Sequence, residues 1–189
     1  MRTLLFFIVL LSISFNTFSQ TKNKNKGNVL DEEKHLQITN VFIDACKAKI
    51  LGNLEEAETK FLQCIRLNPL HSASYYEMSI LLASKGAFKQ SMEYNRKAIE
   101  LDPNNYWYQL QMASIYQRVG KYNESIKTLE HLIKKQPNNN DLYLETANTY
   151  LLANKPNEAI TTLNRIEKRI GITPEITLHK KEIFIKQRK

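Results

Sequence analysis

Glycine and proline are scarce in this sequence, with five of each in 189 residues. Both residue types interrupt regular secondary structure and are common in tight turns, so their scarcity argues against a β-rich chain with many hairpins. Leucine, isoleucine, alanine, lysine and glutamate are abundant instead, and most of them favour helices. The composition therefore predicts an all-α protein, and the chain is long enough to bury a substantial core.

Sequence motifs of catalysis are also missing. The chain has no glycine-rich phosphate loop, no G-x-S-x-G elbow and no H-E-x-x-H motif. The histidines at positions 35, 71, 131 and 179 are scattered, and none has a Cys, Asp or Glu at metal-ligand spacing on a rigid element. We therefore expect no enzymatic activity, no metal, no cofactor and no small-molecule substrate.

The net charge of +8 belongs to the two ends of the chain. Residues 20–26 contain three lysines, and the last eleven residues contain five basic side chains against Glu182 alone. Residues 27–178 hold 18 basic and 18 acidic side chains, so they offer no basic stripe of the kind that nucleic acids require. We expect no nucleic-acid partner, whereas contact of the basic ends with an anionic membrane surface stays open. Residues 20–27 are interpreted as a basic flexible segment.

Residues 1–19 have the pattern of a signal peptide. Arg2 provides the positive start, and the apolar run Leu4–Phe15 is too short to span a bilayer. Thr17 and Ser19 are small residues at the −3 and −1 positions of a cleavage site before Gln20. This pattern predicts an exported protein, located in the periplasm, in the cell envelope or outside the cell. A buried N-terminal helix or an uncleaved anchor is the alternative.

A period of 34 residues runs through the rest of the chain. Prolines recur at this spacing at positions 69, 103 and 137. Three further columns keep the same register: glycine or asparagine at 52, 86, 120 and 154, and small residues at 45, 79, 113, 147 and at 57, 91, 125, 159. Asparagine replaces glycine at position 154 because both residue types tolerate a left-handed backbone. Such a period is typical of helix–turn–helix repeats, whose small residues let paired helices approach closely.

These residues resemble the tetratricopeptide repeat (TPR) family, and the resemblance covers residues 38–188. It implies an all-α, right-handed superhelical solenoid in which each repeat is a pair of helices, A and B, and neighbouring repeats stack into one core. The repeats would span 38–71, 72–105, 106–139 and 140–173. Residues 28–37 would start or cap the first helix, and 174–189 would form helix A of a partial fifth repeat or a C-terminal cap.

Residues 174–189 form a poor cap because Leu178, Ile183, Phe184 and Ile185 lie on a helix without a partner helix B. Two interpretations follow: the protein is short, or the sequence is the front part of a longer array. We favour the longer array, because a missing helix would cover this apolar surface. The chain looks like the start of the long exported TPR proteins of Bacteroidetes-type bacteria. That resemblance implies a binding or scaffolding role.

In a TPR solenoid the A helices line the concave groove, through the second, fifth, ninth, twelfth and thirteenth positions of each repeat. Aromatic and apolar side chains with a few polar groups at these positions suit a protein-binding surface. The candidate binding residues are Phe42, Lys49, Tyr76, Ile80, Trp107, Leu110, Gln117, Arg118, Leu144 and Asn148. The alternative is that some of them pack against neighbouring repeats.

The two cysteines occupy different surroundings in this frame. Cys46 would face the groove of the first repeat, whereas Cys64 would lie inside the packing of helix B. We therefore interpret them as small apolar fillers and expect no disulfide between them, although an exported protein could form one.

Some TPR proteins hold a peptide's C-terminal carboxylate with a clamp of Lys, Asn and Arg side chains. The matching positions here are Phe42, Cys46, Glu77, Trp107 and Gln111, so the clamp is absent. The sequence therefore predicts a non-catalytic scaffold that binds a protein or peptide segment of another kind. The alternatives are a membrane-surface adaptor held by its basic ends and a nucleic-acid-binding helical repeat.

Overall fold

The computed structural model describes residues 31–187, so the expected signal peptide and the basic segment 20–27 lie outside the described residues. Within them the chain forms nine α-helices and no strand, which confirms the all-α prediction. The helices are α1 (residues 31–50), α2 (Leu54–Leu67), α3 (Ser72–Ser84), α4 (Phe88–Leu101), α5 (Tyr106–Arg118), α6 (Tyr122–Lys135), α7 (Asn140–Leu152), α8 (Pro156–Ile170) and α9 (Pro174–Gln187). None of these helices is both long enough and apolar enough to cross a membrane.

The chain divides into two compact units between Pro69 and Leu70. Unit 1 contains the α1–α2 hairpin, in which the rings of Phe42 and Phe61 meet with centroids 5.8 Å apart. Cys64 is fully buried and its Sγ points to the carbonyl of Ile38 at 3.8 Å, whereas Cys46 is half-buried. These two side chains are not joined by a disulfide.

Unit 2 contains α3 to α9, and each of these helices packs against the next along the chain. The α3–α4 hairpin shows why the small-residue columns exist. Ser79 and Ser91 are completely buried where the two helices cross, and the Ser91 hydroxyl donates to the Ser79 carbonyl at 2.7 Å. A larger side chain at either position would push the helices apart, because the space between them is already filled.

One apolar core runs through the later part of unit 2. It draws on every helix from α5 to α9, so no single hairpin could bury it alone. Its buried members are Ala113, Leu129, Leu132, Ile133, Leu142, Tyr143, Ala147, Ala159, Leu163, Ile166, Ile176 and Ile183. Helix α9 contributes to this core through Ile176 and Ile183, so Ile183 does not belong to the apolar surface that a further helix was expected to cover. Leu178, Phe184 and Ile185 remain about half exposed.

The turn between the helices of each hairpin has the left-handed backbone that the glycine column predicts. Gly52, Gly86 and Gly120 have φ angles of 82°, 76° and 74°, and Asn154 has 58°. After Gly120 the N–H of Lys121 donates to the Tyr116 carbonyl at 2.8 Å, a bond that satisfies an orphan carbonyl at the helix end. Equivalent bonds follow the other three positions of the column. The prediction of a positive φ at all four positions is confirmed.

The connection between α4 and α5 follows the sequence signals closely. Helix α4 ends at Leu101, two residues before Pro103, since proline cannot continue the backbone hydrogen-bond pattern. Asn105 caps α5, and its Oδ1 accepts a hydrogen bond from the Trp107 N–H at 3.1 Å. Pro156 stands at the first turn of α8, where proline is tolerated.

Candidate functional site: a groove lined by α3, α5 and α7

The first helices of three successive hairpins in unit 2, α3, α5 and α7, contribute to one open cavity of about 400 Å³, which we call the groove cavity. Its lining combines aromatic, apolar and polar side chains, and two of them are acidic. The lining residues are Tyr76 from α3; Tyr106, Trp107, Leu110, Gln111, Ala113 and Ser114 from α5; and Asp141, Leu142 and Glu145 from α7. Three of the predicted binding residues, Tyr76, Trp107 and Leu110, are thus brought together.

Trp107 is the most exposed aromatic side chain of the groove cavity. Its position follows from the cap of α5, because Asn105 fixes the first turn of the helix and Trp107 is the second residue of that turn. The indole contacts the ring of Tyr106 edge-on, with centroids 5.1 Å apart and planes at 80°. With 60% of Trp107 exposed, its indole is available to a partner.

Tyr76 forms the opposite aromatic wall of the groove cavity, on α3. Its ring lies 4.8 Å from that of Tyr108, and the Tyr108 hydroxyl in turn shares a hydrogen bond of 3.2 Å with the Ser72 hydroxyl. Burial raises the pKa of the Tyr76 hydroxyl above its ordinary value of 10.0, and the charges of Glu77 and Tyr108 raise it further. Tyr76 is therefore a neutral hydroxyl at physiological pH, held in place by ring contacts.

Two carboxylates from α7 complete the lining. Asp141 lies in the first turn of α7, and Glu145 stands one turn further along on the same side. The Gln117 side-chain amide donates to Glu145 Oε1 and to Thr149 Oγ1, both at 2.7 Å. Gln117 thus links α5 to α7 and orients Glu145, so its role includes packing between hairpins as well as the polar contact that the sequence predicts.

A second cavity of about 430 Å³ adjoins the groove cavity and shares Gln111 and Ser114 with it. It is lined by the predicted binding residues Ile80, from α3, and Arg118, from the end of α5. Among the described residues that line it, Arg118 is the charged one, and it is exposed. The two cavities together form a continuous surface along α3 and α5.

Family models describe most of this chain as repeats. Three tetratricopeptide repeat models match residues 51–106, 94–127 and 116–170. The chain belongs to the tetratricopeptide repeat family. A search of curated protein sequences finds no significant match.

Solved TPR structures share the fold at low sequence identity. A TPR protein from Parabacteroides merdae ATCC 43184 is 21% identical over 80% of this chain, with a TM-score of 0.62, and this chain spans 59% of its length. MamA from Desulfovibrio magneticus RS-1 is 15% identical over 80% of this chain and 85% of its own, with a TM-score of 0.69. A thermophilic TPR protein from Thermus thermophilus is 16% identical over 79% and 82%, with a TM-score of 0.59. The TPR solenoid fold, which supports protein-interaction scaffolds, is thereby confirmed.

The remaining predicted binding residues of this TPR protein lie elsewhere. Leu144 and Asn148 line a separate cavity of about 160 Å³, where α7 faces His179 and Ile183 of α9. Leu144 also packs against the core of unit 2. Phe42 and Lys49 belong to unit 1, where both are half-buried and the Phe42 ring contacts Phe61.

The five groove positions of the TPR pattern miss some residues that line the groove cavity. Gln111 and Glu145 are both the sixth residue of their repeats, one period of 34 apart, and both belong to the lining. Asp141 occupies the second position of its repeat, equivalent to Trp107, but is not one of the predicted binding residues. The period itself is therefore a signal that could have found all three.

The described part of the chain gives no indication of a metal centre. Within it, no group of three or more His, Cys, Asp or Glu side chains is placed to hold a metal ion. The groove cavity offers aromatic faces, hydroxyls, an amide and two carboxylates. Such an arrangement can recognise a ligand by shape, hydrogen bonds and charge.

Proposed function

We propose that this TPR protein is a non-catalytic scaffold that binds a segment of a partner protein along α3, α5 and α7, with Trp107 as the main anchor. The observation that carries the proposal is the exposed indole of Trp107 at a cavity of about 400 Å³. A large aromatic side chain left in water is costly unless a partner covers it, and such residues dominate binding energy at protein interfaces.

The surroundings of Trp107 support this role. Tyr76 is fixed by its ring contact with Tyr108, and Glu145 is fixed by the amide of Gln117, so much of the cavity wall is preorganised. A preorganised site loses less conformational entropy when a ligand binds. The adjoining cavity with Ile80 and Arg118 extends the surface, so that a segment of several residues can lie across it.

The test is capture of partners from an envelope extract of the source organism by the tagged protein and by two variants. Trp107→Ala removes the groove anchor, whereas Phe184→Ala removes an aromatic side chain of comparable exposure, 49%, on α9. We expect Trp107→Ala to weaken binding by about 2 kcal/mol, roughly 30-fold, and Phe184→Ala to leave it unchanged. The reverse result would place the binding surface on α9 and refute binding in the groove.

Intrinsic fluorescence gives an independent measurement, because Trp107 is the single tryptophan of the chain. Its emission should shift to shorter wavelength when a captured partner covers it. An unchanged spectrum at saturating partner would contradict the proposal. A circular dichroism melt of Trp107→Ala provides the control for folding, and its midpoint should stay close to that of the wild type because the side chain lies mostly outside the core.

We also propose that the protein works outside the cytoplasm, in the cell envelope or beyond it. Support comes from the signal-peptide pattern of residues 1–19 and from the resemblance to exported TPR proteins. N-terminal sequencing of the protein isolated from its own cell should then start at or near Gln20. Recovery of cytoplasmic protein that retains Met1 would refute export.

Two other functions make different predictions in simple assays. A nucleic-acid-binding repeat would lose affinity steeply with salt, since each phosphate contact releases counterions. A membrane-surface adaptor would co-sediment with vesicles of anionic lipid through its basic ends. A groove that binds a protein segment through aromatic contacts predicts neither nucleic-acid binding nor co-sedimentation.

A further inference from the structure

The charges of the groove cavity have one sign. Among the described residues that line it, Asp141 and Glu145 are acidic and none is basic. Both belong to α7, four residues apart, and they share the lining with the aromatic rings of Tyr76 and Trp107 from α3 and α5. This local charge contrasts with residues 27–178 taken as a whole, in which 18 basic and 18 acidic side chains balance.

We propose that the groove cavity receives a lysine or arginine side chain of the bound segment. This inference rests on the proposed function and names the chemistry of its partner. A basic side chain has an apolar stem and a cationic end, and the cavity offers a matching surface for each. The stem can lie against Leu110 and the rings, and the cation can contact the indole face of Trp107 and the two carboxylates.

The carboxylates are placed to recognise a cation rather than to be neutralised within the protein. The amide of Gln117 donates to Oε1 of Glu145, which fixes the side chain but leaves its charge in place. Asp141 lies in the first turn of α7, where the helix dipole also stabilises a negative charge. An arriving guanidinium or ammonium group would therefore meet two carboxylates in a cavity whose described lining contains no basic side chain.

The charge of the adjoining cavity restricts the sequence expected of the bound segment. Its charged lining residue is Arg118, so the two neighbouring cavities carry opposite charge. A segment that is basic along its whole length would meet Arg118 unfavourably. The groove should therefore prefer an isolated lysine or arginine flanked by apolar or acidic residues over a polybasic run.

The experiment is selection from a random 12-residue peptide library displayed on phage, with the full-length protein as bait. Selected peptides should be enriched in single lysine or arginine residues. Each selected peptide is then synthesised twice, once as found and once with the basic residue replaced by a neutral isostere, citrulline for arginine or acetyl-lysine for lysine. The affinity of each version is measured by isothermal titration calorimetry, which also serves for the variant that lacks Trp107.

The protein variants for this experiment remove acidic side chains inside the groove cavity and, as a control, outside its lining. Asp141→Asn with Glu145→Gln removes both carboxylates of the groove cavity. Glu124→Gln is the control, because Glu124 is an exposed acid in the first turn of α6 and, like Asp141, lies at a helix start. A circular dichroism melt verifies that all variants are folded.

We expect the neutral isostere to weaken binding to the wild type and to Glu124→Gln by about tenfold or more. On the Asp141→Asn, Glu145→Gln protein, which should bind the original peptide about as weakly, the isostere should cause no further loss. A loss of the same size on this variant would overturn the inference, because the cation would then be recognised elsewhere.

Other outcomes separate the inference from the proposed function. Peptides that depend on Trp107 but carry no basic residue would refute the basic-side-chain pocket and leave the groove intact. Peptides that bind Trp107→Ala as well as the wild type would refute the groove itself. A library that yields no binder at all would also count against the groove.

Discussion

The left-handed turn of each hairpin allows a quantitative prediction at Gly120 and Asn154. Both residues occupy the same column of the repeat, with φ angles of 74° and 58°. A Cβ added at Gly120 would meet no heavy atom within 4 Å, so an alanine there encounters no steric clash with neighbouring elements. Any loss of stability must therefore come from the backbone conformation alone, which makes the position unusually simple to interpret.

The magnitude follows from two opposing effects. A left-handed backbone costs an ordinary L-residue about 1–2 kcal/mol. Replacing glycine also restricts the unfolded chain, which stabilises the protein by about 0.4–1 kcal/mol. We therefore expect Gly120→Ala to destabilise by about 0.5–1 kcal/mol and Gly120→Val by about 2 kcal/mol, because a β-branched residue tolerates this region worst.

Asn154 provides the matched comparison. Asparagine already tolerates the left-handed region, so Asn154→Gly should change stability by less than about 0.5 kcal/mol. Asn154→Val should be destabilising, with the same sign as Gly120→Val. For a chain of this length, a loss of 1 kcal/mol lowers the melting temperature by about 2–4 °C, which circular dichroism at 222 nm resolves.

Two results would refute this reasoning. An undiminished melting temperature for Gly120→Val would show that the turn does not require a positive φ. A loss for Asn154→Gly as large as for Gly120→Val would show that the asparagine side chain, and not its backbone conformation, stabilises that turn.

Three further predictions concern other parts of the molecule. Arg165→Lys should lower the free energy of unfolding, measured in urea, by up to about 1 kcal/mol. The reason is that Arg165 Nη1 on α8 contacts Glu130 Oε1 on α6 at 2.6 Å, and its guanidinium also lies over the ring of Tyr143. Ellman's reagent should modify one thiol in the native protein, Cys46, and a second, Cys64, only after unfolding, since Cys64 is fully buried. Stability should fall as the pH rises above about 10, because the raised pKa of Tyr76 keeps its hydroxyl protonated in the folded protein at a pH where the unfolded chain releases that proton. Tyr76→Phe should reduce this loss of stability at high pH.

The fold was predictable because its signals are local and recur. The end of α4 at Leu101 and the cap of α5 at Asn105 depend only on the few residues around Pro103. The four left-handed turns follow from a column of glycine and asparagine. The expected exposed apolar surface of α9 is present at Leu178, Phe184 and Ile185 but not at Ile183, whose burial depends on contacts with other helices that no local pattern reports.

The groove was less predictable because its lining comes from three hairpins. The period assigned Tyr76, Trp107 and Leu110 to equivalent faces of successive A helices, and all three line one cavity. The period did not indicate that the Gln117 side chain on α5 would donate hydrogen bonds to α7, because these bonds depend on which residues of the next repeat lie within hydrogen-bond distance. The acidic character of the cavity was not predicted, because Asp141, although at a groove position, was not chosen as a binding residue and Glu145 lies outside the five groove positions.

Because the groove cavity is lined by three hairpins, its geometry depends on the contacts that fix the position of one hairpin relative to the next. In unit 2 several of these contacts are polar and specific: the buried Asn95 donates from Nδ2 to the Tyr108 carbonyl at 2.8 Å, and Gln117 joins α5 to α7. Apolar packing alone tolerates small shifts between neighbouring helices, whereas a hydrogen bond between defined atoms does not. Asn95 holds α4 against α5 at the turn where Trp107 and Tyr108 begin the helix, so it helps to fix the position of Trp107, the proposed anchor. A TPR scaffold can thus change its partner through exposed lining residues, provided that these buried polar links keep the lining in register.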